Sequence, residues 1–245
     1  MKTHTENTHL ITHSTSSISR WSRLAIRELK KVAAGAALAL GALTTIHAQE
    51  NNQPWEARLI FGFDSLDSTT VTATSPEGTS TADVDFGSGT ALGFSVGYNL
   101  PNNLLLELDY VYRTSDEDTL PDAMFGTGTT IDASSVMISP NLWYKPTWNS
   151  APQLNPRFGI GLAWMQEVSS DVMLGGVENS FDGDGTGFKL MAGIDWEVSD
   201  RWLVGVDATL YDAGSIDATS ETIPGQSIEF DYSGLTFNLG ATYRF

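Results

Sequence analysis

The residues able to do acid–base or nucleophilic chemistry are few and unevenly placed. The four histidines are His4, His9, His13 and His47, and the chain has no cysteine. Beyond residue 47 the sequence therefore lacks the usual proton carrier near neutral pH and the usual strong nucleophile. No disulfide can form. What remains is a set of carboxylates, Glu107, Asp109, Asp195, Glu197 and Asp207, each flanked by apolar residues. They admit two readings, an acid/base or metal site, or ion pairing with Arg58, Arg113, Arg157, Lys189 and Arg244. Pairing is the stronger reading, because buried charges need partners and these bases occupy matching positions in the alternating runs described next. A second acidic stretch, "FDGDGTG" at Phe181–Gly187, has the alternating Asp and Gly of a calcium loop. It lacks the distal bidentate Glu, and reads as a flexible acidic loop. Neither cofactor nor metal is expected, and the chain is not expected to be an enzyme.

The elements that carry these charges are strands. Apolar residues recur with a period of two in eight segments. They run Trp55–Phe63, Leu92–Tyr98, Leu104–Tyr112, Val136–Tyr144, Phe158–Trp164, Phe188–Val198, Trp202–Leu210 and Leu235–Phe245. The links between them alternate in length. Short links fall at Leu100–Leu104, Pro146–Pro156 and Ser199–Asp200; long ones at about Asp67–Phe86, Thr114–Thr130, Ser169–Asp184 and Ala213–Ile228. Short turns at one end and long loops at the other describe an all-β, eight-stranded antiparallel up-and-down transmembrane β-barrel. The long links carry Asp116, Glu117, Asp118, Asp122, Asp217 and Glu221 among Ser, Thr and Gly, a composition of mobile, solvated loops. Pro140 falls inside a strand, where a bulge is expected.

Alternation also fits a soluble barrel with its apolar side inward, and three features favour the membrane. Aromatics cap the apolar stripes at both ends. Trp55, Tyr98, Tyr144, Phe158, Trp196, Trp202 and Tyr243 fall at the short-turn ends; Phe63, Tyr112, Trp164, Phe188 and Tyr211 fall near the long links. Two bilayer interfaces select two such girdles, and only Tyr211 has inward parity. The opposite face is rich in glycine and charge. It carries Glu56, Arg58, Asp64, Glu107, Asp109, Arg113, Arg157, Lys189, Asp195, Glu197, Asp207 and Arg244, seven acids and five bases. All but Asp64 form the candidate lumen network, which would plug the interior or leave a thin path. Finally, the apolar stripe runs to Phe245.

The first 48 residues differ from the rest. They hold six basic and two acidic residues, against seven basic and 28 acidic ones from Gln49 onward. The basic stretch leads into the apolar run Val32–Ala48. A positive segment, an apolar core and a small-residue exit describe a secretory signal peptide, cleaved after Ala48, with the barrel over 49–245. An exported, strongly acidic chain should repel nucleic acid.

The terminal stretch "TFNLGATYRF", Thr236–Phe245, resembles the last strand of the small outer-membrane β-barrel family of the OmpA-like, eight-stranded type. The resemblance implies a place in the outer membrane, with lipid and lipopolysaccharide as surroundings. It further implies that Phe237, Leu239, Tyr243 and Phe245 form a signal read by the outer-membrane assembly machinery. OmpA itself adds a soluble peptidoglycan-binding domain after its barrel; this sequence stops with the barrel, so such anchoring is not expected. Enzymes of this class rely on a histidine, which the predicted mature chain lacks. The function expected is structural or surface-interacting, with a narrow charged lumen and acidic outer loops of unspecified partner. The alternative is a small passive channel, cation-favouring because of its excess acid.

Overall fold

A computed structural model describes residues 54–115, 118–119, 130–174, 177–220 and 222–245. The segment expected as a signal peptide, and Asp116, Glu117, Asp122 and Glu221 of the long links, lie outside the described residues. In chain order the strands are β1 (Trp55–Leu66), β2 (Thr69–Ser75), β3 (Gly78–Val84), β4 (Ser88–Leu100), β5 (Leu104–Ser115) and β6 (Asp118–Thr119). They continue as β7 (Thr130–Tyr144), β8 (Leu154–Leu174), β9 (Val177–Glu197), β10 (Trp202–Ser220) and β11 (Ser227–Arg244). All pairings are antiparallel. Eight strands follow one another in the order β1-β4-β5-β7-β8-β9-β10-β11, and β11 returns to β1 from Glu56↔Arg244 to Leu66↔Gly234. The wall is thereby closed and leaves those strands no free edge within the barrel. Outside this ring, β2 and β3 form a hairpin held on β11 at Ser227–Glu229, and β6 pairs with β7.

Strand length divides the molecule. The β1, β4 and β5 strands have 12, 13 and 12 residues, while β8, β9, β10 and β11 have 21, 21, 19 and 18. A tilted strand crosses a bilayer in about 9–11 residues. The surplus in β8–β11 stands beyond the band of exposed apolar residues, on the side opposite the short turns. Much of what the composition predicts as loop is therefore strand. "FDGDGTG" lies inside β9, with Phe181 opposite Ser170 of β8 and Asp182 opposite Thr219 of β10. The first long link folds as the β2–β3 hairpin, and Asp217 sits in β10 opposite Glu229.

Which side of the wall is apolar reverses along the long strands. In the lower part of β11 the outward residues are Leu235, Phe237, Leu239, Ala241 and Tyr243, with Phe237 59% exposed, and the inward ones are Thr236, Asn238 and Thr242. In the upper part Ile228, Phe230 and Tyr232 are buried, while Glu229 and Asp231 face outward. The β10 strand repeats this, with Val204, Val206 and Leu210 outward below, then Ile216 and Ala218 buried and Asp217 exposed above. The lower part is turned inside out relative to a water-soluble protein, and the upper part is not.

One local expectation is corrected and one is met. Pro140 makes no bulge: Leu108↔Pro140 stays in register with β5, and β7 keeps one register against β8 from Ile138 to Asn141. The strand accommodates the missing N–H by leaving Ser139 and Pro140 without a partner in β8. The irregularity lies higher, between Val136 and Met137, where β8 carries one extra residue. Tyr211, grouped with the outer aromatics, is buried and points into the barrel.

Candidate functional site

Among the described residues, charged side chains converge in the lumen. Inward positions of β1, β8, β9 and β10 bring together Arg58, Arg157, Asp195 and Asp207, all buried. Arg58 donates Nη1 to Asp195 Oδ1 at 2.7 Å and Nη2 to Asp207 Oδ2 at 2.8 Å. Arg157 donates Nη2 to the same Asp207 oxygen at 2.6 Å, and its Nε lies 3.5 Å from Asp195 Oδ2. Two guanidiniums and two carboxylates thus form a closed square of compensating charge. Planar guanidinium forks suit this better than lysine would. The space comes from glycines on the facing strands. A Cβ at Gly240 would collide with the Arg58 guanidinium, and one at Gly205 with Asp195 Oδ1.

The lattice extends upward from this square. The Arg157 guanidinium lies 4.2 Å from the Trp143 ring centroid, a cation–π contact strengthened by the burial of both side chains. Trp143 Nε1 and Ser95 Oγ each donate to Glu107, both at 2.8 Å. Lys189 donates to Asp109 Oδ2 at 2.5 Å, and Asn141 Nδ2 donates to the same oxygen at 3.0 Å. Above them Asp64 accepts from Tyr211 Oη at 2.9 Å and from Thr236 Oγ1 at 2.5 Å, with Arg113 Nε at 3.6 Å. Arg113 lies against Tyr211, 4.7 Å from its centroid, and against Met137 Sδ at 3.7 Å.

There the charge ends and an apolar core begins. Leu66, Met137, Met165, Val168, Phe181, Ile216, Phe230 and their neighbours, from β1–β3 and β7–β11, form one buried cluster. The ring centroids of Phe86 and Phe230 are 6.1 Å apart. The described lumen is therefore filled at two levels, by ion pairs below and by hydrocarbon above.

Most of the charges predicted from parity meet in this lumen: Glu56, Arg58, Glu107, Asp109, Arg113, Arg157, Lys189, Asp195 and Asp207 are all buried. Glu197 and Arg244 do not join them. They pair at 3.4 Å at the short-turn rim, with side chains 34% and 23% exposed. Several partners lie outside the predicted network, Ser95, Asn99 and Thr236 among them, and four more are instructive. Asp64 has the right parity but was set outside the network. Trp143 and Asn141 share the inward parity of their strand but are not charged. Lys145, one step past the last apolar residue of that strand, donates to both carboxylate oxygens of Glu56 at 2.9 Å. Continuing the period of two past Tyr144 would have found it.

The outer face below the inversion is apolar all round, including Leu59, Leu108, Ile160, Leu190 and Leu239. Aromatics stand at its borders. Trp55 packs edge-on to Tyr98 and Trp202 to Tyr243 at the short-turn end. Tyr144, Trp164 and Trp196 are exposed, and Tyr112 faces the same way. No water-soluble surface keeps such a belt. A family profile described as the outer membrane protein beta-barrel domain matches residues 34–245.

The chain belongs to this outer-membrane β-barrel family.

Relatives agree with that assignment. Outer membrane protein W of Salmonella typhi is 27% identical over 177 residues, which cover 65% of this chain and 81% of the relative. The crystal structure of the outer membrane protein OprG from Pseudomonas aeruginosa superposes with a TM-score of 0.57 at 14% identity, covering 80% of this chain and 97% of that one. The chain is an outer-membrane protein, its apolar belt faces membrane lipid, and the family's short turns face the periplasm.

Proposed function

We propose that this protein is a sealed barrel with a structural and surface-presenting role. One observation carries the reading: the Arg58–Asp195–Arg157–Asp207 square, buried and closed on itself, spans the lumen between opposite walls. The apolar core above it is a second stopper in series. The lipid belt then anchors the barrel, and the strands of β8–β11 beyond it, edged by the β2–β3 hairpin, present an acidic outer surface. Lipopolysaccharide is the natural neighbour of that surface. The expected assembly signal fits the exposed lipid-facing positions of Phe237 and Leu239 and the terminal rings of Tyr243 and Phe245, 4.9 Å apart. The reading is non-enzymatic, and rests on the confinement of all four histidines to the first 47 residues.

A second reading, the narrow passive channel, draws support from one feature. Asp109 Oδ1, Ser139 Oγ and Asn141 Oδ1 are buried with no hydrogen-bond partner among the described residues. Such atoms call for water. Solute flux separates the two. Liposomes carrying the folded protein should swell in isosmotic arabinose no faster than empty ones. Swelling that scales with protein content would favour the channel.

A further inference from the structure

At the periplasmic end the turn between β4 and β5 and the turn between β7 and β8 border a half-open hollow of about 590 Å³. We propose that this hollow binds a neutral saccharide.

The chemistry of its lining narrows the ligand. Among the described residues Lys145 is the one charged residue that lines it, and its ammonium is already held by both oxygens of Glu56 and by Asn99 Oδ1 at 3.3 Å. Among the described residues no free cation is left for a phosphate, and no carboxylate lines the hollow to hold a metal. What the hollow does offer is amides and an indole. Asn102, Asn103 and Asn149 are exposed, and Trp148 is 45% exposed. Each amide presents both a donor and an acceptor, which matches hydroxyl and acetamido groups. The indole face offers an apolar platform for the C–H face of a sugar ring. The size is that of a small-molecule site, about 300–1,000 Å³.

The site is also preformed. Pro101, Pro146 and Pro152 each fix one backbone dihedral. Asn102 and Asn103 take the left-handed conformation, with φ of 65° and 62°, which asparagine tolerates better than most residues. The two turns are tied together by Lys145 N–H donating to the Asn103 carbonyl at 2.8 Å, and the second is closed by Ala151 N–H donating to the Trp148 carbonyl at 3.1 Å. Little ordering is left to oppose binding. Trp148 lies four residues past the girdle residue Tyr144, within the turn itself.

The test is a titration of the folded protein in lipid nanodiscs with N,N′-diacetylchitobiose, followed by saturation-transfer NMR and calorimetry. Saturable binding is expected. Trp148→Ala should weaken it about tenfold or more and Asn149→Ala about threefold, in line with loss of a stacking face and of one hydrogen bond. Trp148→Phe should keep most of the affinity, and Trp196→Ala, a girdle change at the same rim, should leave it unchanged. Heat-dependent gel mobility establishes that each variant is folded. The proposal is overturned if the folded protein shows no saturable binding, if Trp148→Ala binds as well as the parent, or if Trp196→Ala weakens binding as much as Trp148→Ala does.

Discussion

The lower and upper halves of this barrel share one wall and one alternation, yet their interiors are opposites. Below, the outer side chains meet lipid, and the inside holds arginines, carboxylates and glycines. Above, the outer side chains are Asp, Glu, Ser and Thr, and the inside holds Phe, Met, Ile and Val. The difference shows that the solvent outside decides the chemistry inside. In lipid, apolar burial between strands gains little, and the interior is free to be polar provided its charges are paired. In water the same strands must hide an apolar face. The level at which β10 and β11 exchange their apolar side therefore marks the outer edge of the hydrocarbon.

Substitutions can break this contrast. The largest effect is expected from Asp207→Ala, which takes a carboxylate from both Arg58 and Arg157. Leaving buried charge uncompensated should cost about 3–5 kcal/mol, read by urea unfolding in lipid vesicles. Phe230→Ala tests the other half, where loss of a buried ring should cost about 3–4 kcal/mol through the cavity it leaves. The two halves should then separate under repair. Lys189→Met alone strands the Asp109 charge and should cost about 3 kcal/mol, whereas adding Asp109→Leu should return stability to within about 1 kcal/mol of the parent. An analogous second substitution cannot rescue Phe230→Ala, because a void has no partner to remove.

A smaller effect tests the space around the square. Gly240→Ala must displace the Arg58 guanidinium and should cost about 1–3 kcal/mol. The smallest is Glu197→Gln at the open rim, worth less than about 1 kcal/mol. Its effect should fade in 1 M salt, where the screening length is about 3 Å. The buried square should be nearly insensitive to the same salt.

The barrel was legible in the sequence because alternation in lipid is strict: Phe237, Leu239 and Val206 sit where the period of two puts them, as does the closing pair of first and last strands. The lumen charges were legible by the same parity. The upper half was not, because its cue is a change of sign within a continuing alternation. Ile228, Phe230 and Tyr232 keep the period, yet they lie among Asp, Ser and Gly, a composition that favours loops. Glycines at 183, 185 and 187 strengthened that impression, although a Cβ at Gly183 or Gly185 would strike the Ile216 side chain, so small size there is a packing requirement. Lys145 and Trp143 carry weaker cues for different reasons: Lys145 lies past Tyr144, where the apolar stripe ends, and Trp143 has the inward parity but no charge.

The proposed sealing of the lumen depends on both interiors together. Planar-bilayer recording of the refolded protein, its folding established by heat-dependent gel mobility, tests it most directly. A sealed lumen gives a silent bilayer across a wide range of voltage and salt. Discrete, salt-dependent openings from the same preparation, with cation selectivity following the acidic excess of the lumen, would contradict it.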